Sequence, residues 1–240
     1  MLRLAETVHH FRSPGPAAVI GDIHGSADLL ARLLDQLGER TLISAGDLVD
    51  RGPDSRGVLE QLVAREARGV LGNHDLWFLQ WARGQGFDPF ALSAAMGGEA
   101  TLKSYGVEGR SPAQIEAQAH RVPQTHRNLL EGFGIVLDLE VEGTQWWVVH
   151  AGLPANILKP WMVLEEALPF IAVTDPLPLL WSKTDPADTA VLDRPQIMGH
   201  LPLREPEDHG HCVAIDTGAG RGGSLTALLL PERTFLTVSP

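Results

Sequence analysis

The sequence predicts an α/β protein built on parallel strands, and three observations point to it. Short apolar runs recur at residues 17–20, 41–45 and 69–71, each the length of a buried strand. The intervals between them place apolar residues at helical spacing. The order is therefore strand, helix, strand, helix, strand, which demands parallel pairing through right-handed crossovers. Each run also passes at once into a polar, glycine-flanked cluster. Such clusters meet at the carboxyl edge of an open sheet, where α/β proteins bind ligands.

The elements follow in chain order. Ala17–Ile20 leads into Gly21-Asp22-Ile23-His24-Gly25, and because strand side chains alternate, Asp22 and His24 leave it on one side. Ser26–Leu37 spaces Leu29, Leu30, Leu33, Leu34 and Leu37 as one helical face, with Gly38 as its C-terminal cap. Thr41–Ala45 runs into Gly46-Asp47-Leu48-Val49-Asp50-Arg51-Gly52-Pro53. Asp54 caps a second helix whose core residues are Val58, Leu59, Leu62 and Val63. Gly69–Leu71 ends in Gly72-Asn73-His74-Asp75. From Leu76 to Glu131 the texture is helical, broken at Gly97-Gly98 before Glu99–Tyr105, with Pro112–His120 as a further short helix. This stretch carries no chemical signature and reads as an insert that caps or side-packs the sheet.

From Gly134 the chain becomes β-rich. Ile135–Val141 alternates, and the buried run Trp146–Val149 ends at His150-Ala151-Gly152-Leu153. Gln196–Met198 ends at Gly199-His200. Cys212–Ile215 and Ser224–Leu230 bracket the loop 216–223, and Phe235–Val238 closes the chain. Pro176-Leu177-Pro178 and Thr184-Asp185-Pro186 read as turns. No repeat or composition shift forces a second domain, so residues 1–240 are expected to form one, with the helical insert at about 76–131.

Composition bounds the function. With 240 residues the chain can bury a substantial core. A formal charge of −11 argues against holding a nucleic-acid polymer through the general surface field. It leaves room for a phosphate-handling pocket, where bound divalent cations dominate the local field. No apolar run is long enough to span a bilayer, and the opening residues lack the apolar core of a secretory signal. The single cysteine, Cys212, excludes an internal disulfide framework. A cytoplasmic setting without membrane association is expected, while the oligomeric state stays open.

The strand-end residues form a set: Asp22, His24, Asp47, Asn73, His150 and His200. Two carboxylates, an amide oxygen and three imidazoles suit borderline divalent ions such as Mn, Fe, Zn or Co, and the lack of thiolates argues against a structural zinc. Six donors are too many for one catalytic ion that keeps open positions. They suit two ions sharing one carboxylate, roughly 3.5–4 Å apart.

These motifs, with the two later histidines, resemble the signature of calcineurin-like metallophosphoesterases. More narrowly they are similar to the phosphoprotein phosphatase family, with bacterial and phage serine/threonine phosphatases nearest in layout. The resemblance runs from residue 21 to about 223 and implies a four-layer α/β/β/α sandwich. It implies that Asp22, His24 and Asp47 hold one metal, and that Asp47 bridges to a second held by Asn73, His150 and His200. Two ions are implied, Mn first, with Fe, Zn, Co or Ni possible. A water bridging them would be the nucleophile, Arg51 the bidentate phosphate clamp, and His74, oriented by Asp50, the general acid. The implied substrate is a phosphorylated protein or peptide.

Two departures from that pattern bear on substrate choice. Asp75 stands where the family's protein phosphatases carry glutamate. Lys183, in Leu180-Trp181-Ser182-Lys183, stands where a second phosphate-binding arginine is expected; Arg221 is the other candidate for that role. Asp75 and the Asp-Thr-Gly ending at residues 216–218 also resemble symmetrical diadenosine tetraphosphate hydrolases, which share the metal core and take a dinucleoside polyphosphate. The form of the second motif with Asp50, the segment Gly-Gly-Glu-Ala-Thr-Leu-Lys-Ser-Tyr-Gly and the short span from His150 to His200 favour the phosphomonoesterase. A non-enzymatic metal-binding interaction module is the third reading, disfavoured because every ligand position is filled.

Other features have plainer readings. The glycine pattern at residues 218–223 precedes a strand rather than a helix, which excludes a dinucleotide-binding turn. His9 and His10 read as a solvated terminus, and His120, His126, His209 and His211 as loop or surface residues. Trp146 and Trp147 read as core, as do Trp77, Phe78 and Trp81, for which a place bordering a pocket stays open because they follow His74.

Overall fold

The computed structural model describes residues 7–109 and 111–240. Two sheets stack face to face. The five-stranded sheet is built from β2 (Ala17–Ile20), β3 (Thr41–Ser44), β4 (Arg68–Gly69), β10 (Leu225–Leu230) and β11 (Thr234–Val238), in the order β11-β10-β2-β3-β4. Its β2, β3 and β4 are parallel, as the crossover pattern predicts, and β10 closes antiparallel on β2. The six-stranded sheet contains β1 (Val8–Arg12), β5 (Val136–Val141), β6 (Thr144–Val149), β7 (Gln196–Met198), β8 (Glu207–Asp208) and β9 (Cys212–Ala214), in the order β1-β5-β6-β7-β9-β8.

The pleat explains how the layers stack. In β2, Ala17 and Val19 face the second sheet, where they meet Leu137, Leu139, Trp146, Val148 and Ile197. Ala18 and Ile20 point the other way, onto α1 (Ala27–Leu37) and α2 (Ser55–Ala64) through Leu30, Leu33, Val58 and Leu59. Trp147 and Val149 of β6 likewise turn away from the sheet interface, onto α7 (Leu164–Thr174) and α8 (Pro178–Trp181) through Leu168, Ile171 and Leu179. The result is helix, sheet, sheet, helix: the four-layer α/β/β/α arrangement. A strand buried on both faces must be apolar at every position, which is why β2 and β3 read as continuous runs.

Asp54 caps α2 by accepting the Gly57 N–H at 2.8 Å, and Gly38 ends α1 with φ +60°. Past the third motif run α3 (Asn73–Ala82), α4 (Gly98–Ser104), α5 (Pro112–Glu116) and α6 (Gln124–Glu131). Gly97 starts α4 with φ +74°, in keeping with the break expected there. Phe78, Trp81, Leu102, Ile115 and Leu130 from this stretch join the same core as Leu30 and Leu59. The stretch thus extends the helical layer over the five-stranded sheet.

Several sequence readings need correction. His9 and His10 lie in β1, which pairs parallel with β5, and His10 Nδ1 sits 3.0 Å from Asp138 Oδ2 across the ladder. His126 is buried in α6, where the Tyr105 hydroxyl donates to its Nδ1 at 2.7 Å. Residues 164–174 form a helix that the interior Pro169 conceals, and the Pro176–Pro178 turn opens α8. The strand predicted at 69–71 is shorter and starts at Arg68; Val70 adds only a bridge to Gly134.

Candidate metal centre

Each predicted ligand leaves the carboxyl end of a strand, and the two sheets bring those ends together. Asp22 and His24 follow β2, Asp47 follows β3, and Asn73 opens α3 beyond β4. His150 and His200 follow β6 and β7 of the other sheet. Asp47 is the hub. Its Oδ2 lies 3.3 Å from His24 Nε2, and its Oδ1 lies 3.4 Å from His150 Nε2. On the first side, Asp22 Oδ2 is 3.8 Å from His24 Nε2. On the second, His150 Nε2 is 3.1 Å from both Asn73 Oδ1 and His200 Nδ1. Two groups of metal-type donors thus share one carboxylate: His24, Asp47 and His74, and Asp47, His150 and His200.

The donors fit divalent cations. Asp22 Oδ2 is buried with no hydrogen-bond partner, an arrangement that costs about 1–3 kcal/mol unless something positive meets the oxygen. His24 Nδ1–H donates to the Val49 carbonyl at 2.8 Å and His150 Nδ1–H to the Ala45 carbonyl at 2.9 Å. Each ring therefore turns Nε2 inward, the orientation metal-binding imidazoles take when a backbone carbonyl holds the other nitrogen. Packing enforces the cradle. A Cβ on Gly72 would strike Asp47 Oδ1, and one on Gly199 would strike Asp22 Oδ1. His24, Asp47, Asp50, Arg51 and His200 all adopt positive φ. For non-glycine residues that costs roughly 1–3 kcal/mol each, and such strain gathers at functional sites.

The electrostatics agree. Burial pushes the Asp47 carboxyl up, but the surrounding imidazoles, His150 foremost, outweigh it and hold the group well below the usual range. Burial lowers His150, yet the facing Asp47 carboxylate raises it to about 10. Metal binding would displace that proton. His24 falls to about 3, first through burial, and His200 to about 4 for the same reason, so both rings are neutral and able to ligate. Asp22 is raised well above the usual range, first by burial and next by Asp216.

The remaining predicted residues line the same space. Arg51 Nη1 contacts His24 Nε2, and its Nη2 donates to His74 Nε2 at 3.0 Å. His74 Nδ1 lies 2.7 Å from Asp50 Oδ2, and both side chains are buried. Lys183 and Arg221 are exposed. Lys183 is among the charges that depress His200, after burial and His150, and Arg221 is among those that depress Arg51, after burial. Lys183 therefore acts on His200 and Arg221 on Arg51.

Asp75 is a different matter. Its carboxylate is fully buried and accepts N–H groups from Asp47, Leu48 and Gly72, each at 2.9 Å. It ties the second motif to the third and cannot reach a substrate, which corrects the expectation that it bears on substrate choice. Burial, then Asp47, raises it to about 7. Two residues escaped sequence reasoning. Asp216 is buried beside Asp22, and the signal for it was present: it follows β9 as Asp22 follows β2. Trp77, read as core, also donates its Nε1–H to Asp50 Oδ2 at 2.8 Å. Only the fold could show that.

Fold and donor set define a metal-dependent phosphoester hydrolase. The chain belongs to the calcineurin-like phosphoesterase family, whose model matches residues 15–217. It is 25% identical to an asymmetrical bis(5'-nucleosyl)-tetraphosphatase of Oceanobacillus iheyensis, over 92% of this chain and 91% of that one. It is 29% identical to serine/threonine-protein phosphatase 1 of Salmonella typhimurium, over 87% and 88% respectively. A crystal structure given provisionally as a diadenosine tetraphosphatase aligns with a TM-score of 0.66 at 22% identity, covering 97% of both chains. At that identity the likeness shows the fold alone. None of the helices among the described residues is long and apolar enough to cross a membrane.

Proposed function

We propose that the protein is a two-metal phosphomonoesterase acting on alkyl phosphate esters, phosphoserine and phosphothreonine in proteins being the type. The observation that carries this reading is the buried His74–Asp50 pair at 2.7 Å. Breaking an ester of an ordinary alcohol expels an alkoxide, which leaves readily only if a proton arrives as the bond breaks. A phosphoanhydride expels a phosphate group, which needs no such help.

In this reading Asp22, His24 and Asp47 would hold one cation, and Asp47, Asn73, His150 and His200 the other. The oxygen and nitrogen donors suit Mn, with Fe, Zn, Co or Ni as alternatives. Bound there, the cations supply an acidified water and neutralise phosphoryl oxygens. The chain's own groups do the rest. Arg51 offers two guanidinium N–H groups to a pair of phosphoryl oxygens. Asp50 holds the His74 ring by Nδ1–H, so that Nε2, once the Arg51 guanidinium turns from it to the phosphate and the ring is protonated, would deliver a proton to the leaving oxygen.

One observation favours a second reading, hydrolysis of a dinucleoside tetraphosphate. Trp181 is 42% exposed with its ring 6.5 Å from that of His200, a face on which a base could stack. Lys183 and Arg221 would meet a longer phosphate chain. The resemblance in the sequence is to symmetrical hydrolases, whereas the Oceanobacillus relative is named as asymmetrical.

Comparing kcat/KM with Mn²⁺ on a phosphoserine peptide, a phosphotyrosine peptide and diadenosine tetraphosphate separates the readings. The phosphoserine peptide is expected to lead. Preference for the dinucleotide would overturn the first reading in favour of the second. Hydrolysis of none of the three would leave a metal-binding module.

A further inference from the structure

The segment Gly-Gly-Glu-Ala-Thr-Leu-Lys-Ser-Tyr-Gly at residues 97–106 has no role in the chemistry so far, yet it touches the general-acid pair. We infer that Thr101 of α4 is a positioning residue for His74: one hydroxyl fixes both the carboxylate and the backbone of Asp50. The inference rests on the phosphomonoesterase reading for its kinetic consequence and on geometry for its structural one.

The hydrogen bonds balance atom by atom. Thr101 Oγ1 donates its single proton to Asp50 Oδ1 at 2.8 Å. The same oxygen accepts the Asp50 N–H at 2.8 Å, and the Ser55 hydroxyl at 2.8 Å then acts as its second donor. Ser55 Oγ also lies 3.1 Å from the Asp50 nitrogen. Asp50 Oδ2 is left for Trp77 Nε1–H at 2.8 Å and His74 Nδ1–H at 2.7 Å. Both carboxylate oxygens are thus fixed, and the His74 ring can take only one orientation. Asp50, Ser55 and Thr101 are each 0% exposed, so water is not at hand to replace a lost bond.

The same segment grips the strained turn that presents the two functional side chains. Asp50 and Arg51 adopt φ of +76° and +65° in succession. The Arg51 N–H donates to the Gly97 carbonyl at 3.2 Å, and Arg51 Nη2 lies 3.4 Å from the Ala95 carbonyl. The helical stretch after the third motif therefore acts on the chemistry by setting a direction, since none of its described residues is bonded to a metal donor. Small displacements of a proton donor cost up to about a hundredfold in rate.

The test is Thr101→Val, which keeps the shape and deletes the hydroxyl, beside Thr101→Ser, which restores it. With Mn²⁺, Thr101→Val is expected to lower kcat for phenyl phosphate by about 10–100-fold, within the range general acids contribute. For p-nitrophenyl phosphate, whose leaving group needs little protonation, kcat should change by less than about threefold, with KM steady for both. Thr101→Ser should recover most of the loss. Ser55→Ala, which removes the hydroxyl's second donor, should show the same leaving-group dependence more weakly and serves if the valine variant does not fold. Equal losses on both esters at unchanged Tm, or no loss on either, would overturn the inference. The low-field proton NMR signal of His74 Nδ1–H gives a readout free of turnover: it should move in Thr101→Val and return in Thr101→Ser. If wild-type protein released phosphate from no ester, the hydrolase reading would fail, and an unmoved signal would still refute the positioning role.

Discussion

At the scale of single residues, Asp47 decides whether the centre exists. Among the described residues it is the one carboxylate shared by both groups of donors, with an oxygen toward each. Asp47→Asn keeps the shape and removes the charge that faces His24, His74 and His150. Metal content after dialysis should fall from two ions toward one or none, and turnover should drop by at least about a hundredfold. Wild-type metal content in this variant would refute the shared-carboxylate arrangement. Asp75 makes the opposite prediction. Its three accepted N–H groups lie in full burial, and Asp75→Asn turns a donor toward at least one of them. The expected cost is about 1–3 kcal/mol in a denaturant melt. The ratio of kcat/KM between phosphoserine peptide and dinucleotide should stay put, because Asp75 does not face the substrate. A changed ratio at unchanged stability would show the reverse.

At the scale of elements, the C-terminal end of α4 is joined to α6 by the Tyr105–His126 bond at 2.7 Å. Burial lowers His126 below the usual histidine value and pushes the Tyr105 phenol up, so a neutral phenol donates to a neutral ring. The sign of the pH dependence follows from this. Above about pH 6.5 both folded and unfolded chains carry a neutral His126, and the bond contributes in full. As pH falls below the unfolded value the unfolded chain takes up the proton first, so stability declines until the lowered folded value is passed. Chemical denaturation at pH 7.5 and pH 5 should show a smaller drop for His126→Gln than for the parent. Identical drops would mean that His126 is no part of the acid sensitivity. Cys212 is inert by the same logic, its thiol buried and raised to about 11, first by burial.

At the scale of the whole molecule, the centre joins two sheets that also meet through apolar contacts and through polar bridges such as Arg233 to Asp208. Asp22, Asp47 and Asn73 come from the five-stranded sheet, His150 and His200 from the six-stranded one. A cation bound between them binds the folded chain and not the unfolded one, so it must stabilise the whole. Mn²⁺ at about a hundred times its Kd should add about 2.7 kcal/mol, visible as a higher Tm that EDTA reverses. Asp47→Asn should erase the shift. A Tm indifferent to Mn²⁺ and EDTA would mean that the two sheets do not share a bound ion.

The sequence by itself determined the candidate donor set and the strands that carry it, because both rest on local chemistry. A buried strand must be apolar, it must end where polar residues begin, and Asp22, His24, Asp47, Asn73, His150 and His200 stand at those ends. The same rule would have found Asp216 had it been applied to β9. What the sequence could not determine was set by partners distant along the chain. The strand β1 exists because β5 offers it a ladder some 128 residues on, and His126 is buried because Tyr105 satisfies it. The helix α7 survives Pro169 because Ala167, Leu168, Ile171 and Ala172 are buried against the six-stranded sheet. Asp75 resembled a substrate-facing variation and proved to be a brace. The insert held no chemical signature, yet Thr101 reaches the Asp50 carboxylate from 51 residues away. Local periodicity encodes which faces are apolar, whereas the pairing of polar side chains across the fold is fixed only when packing leaves each buried donor a single acceptor.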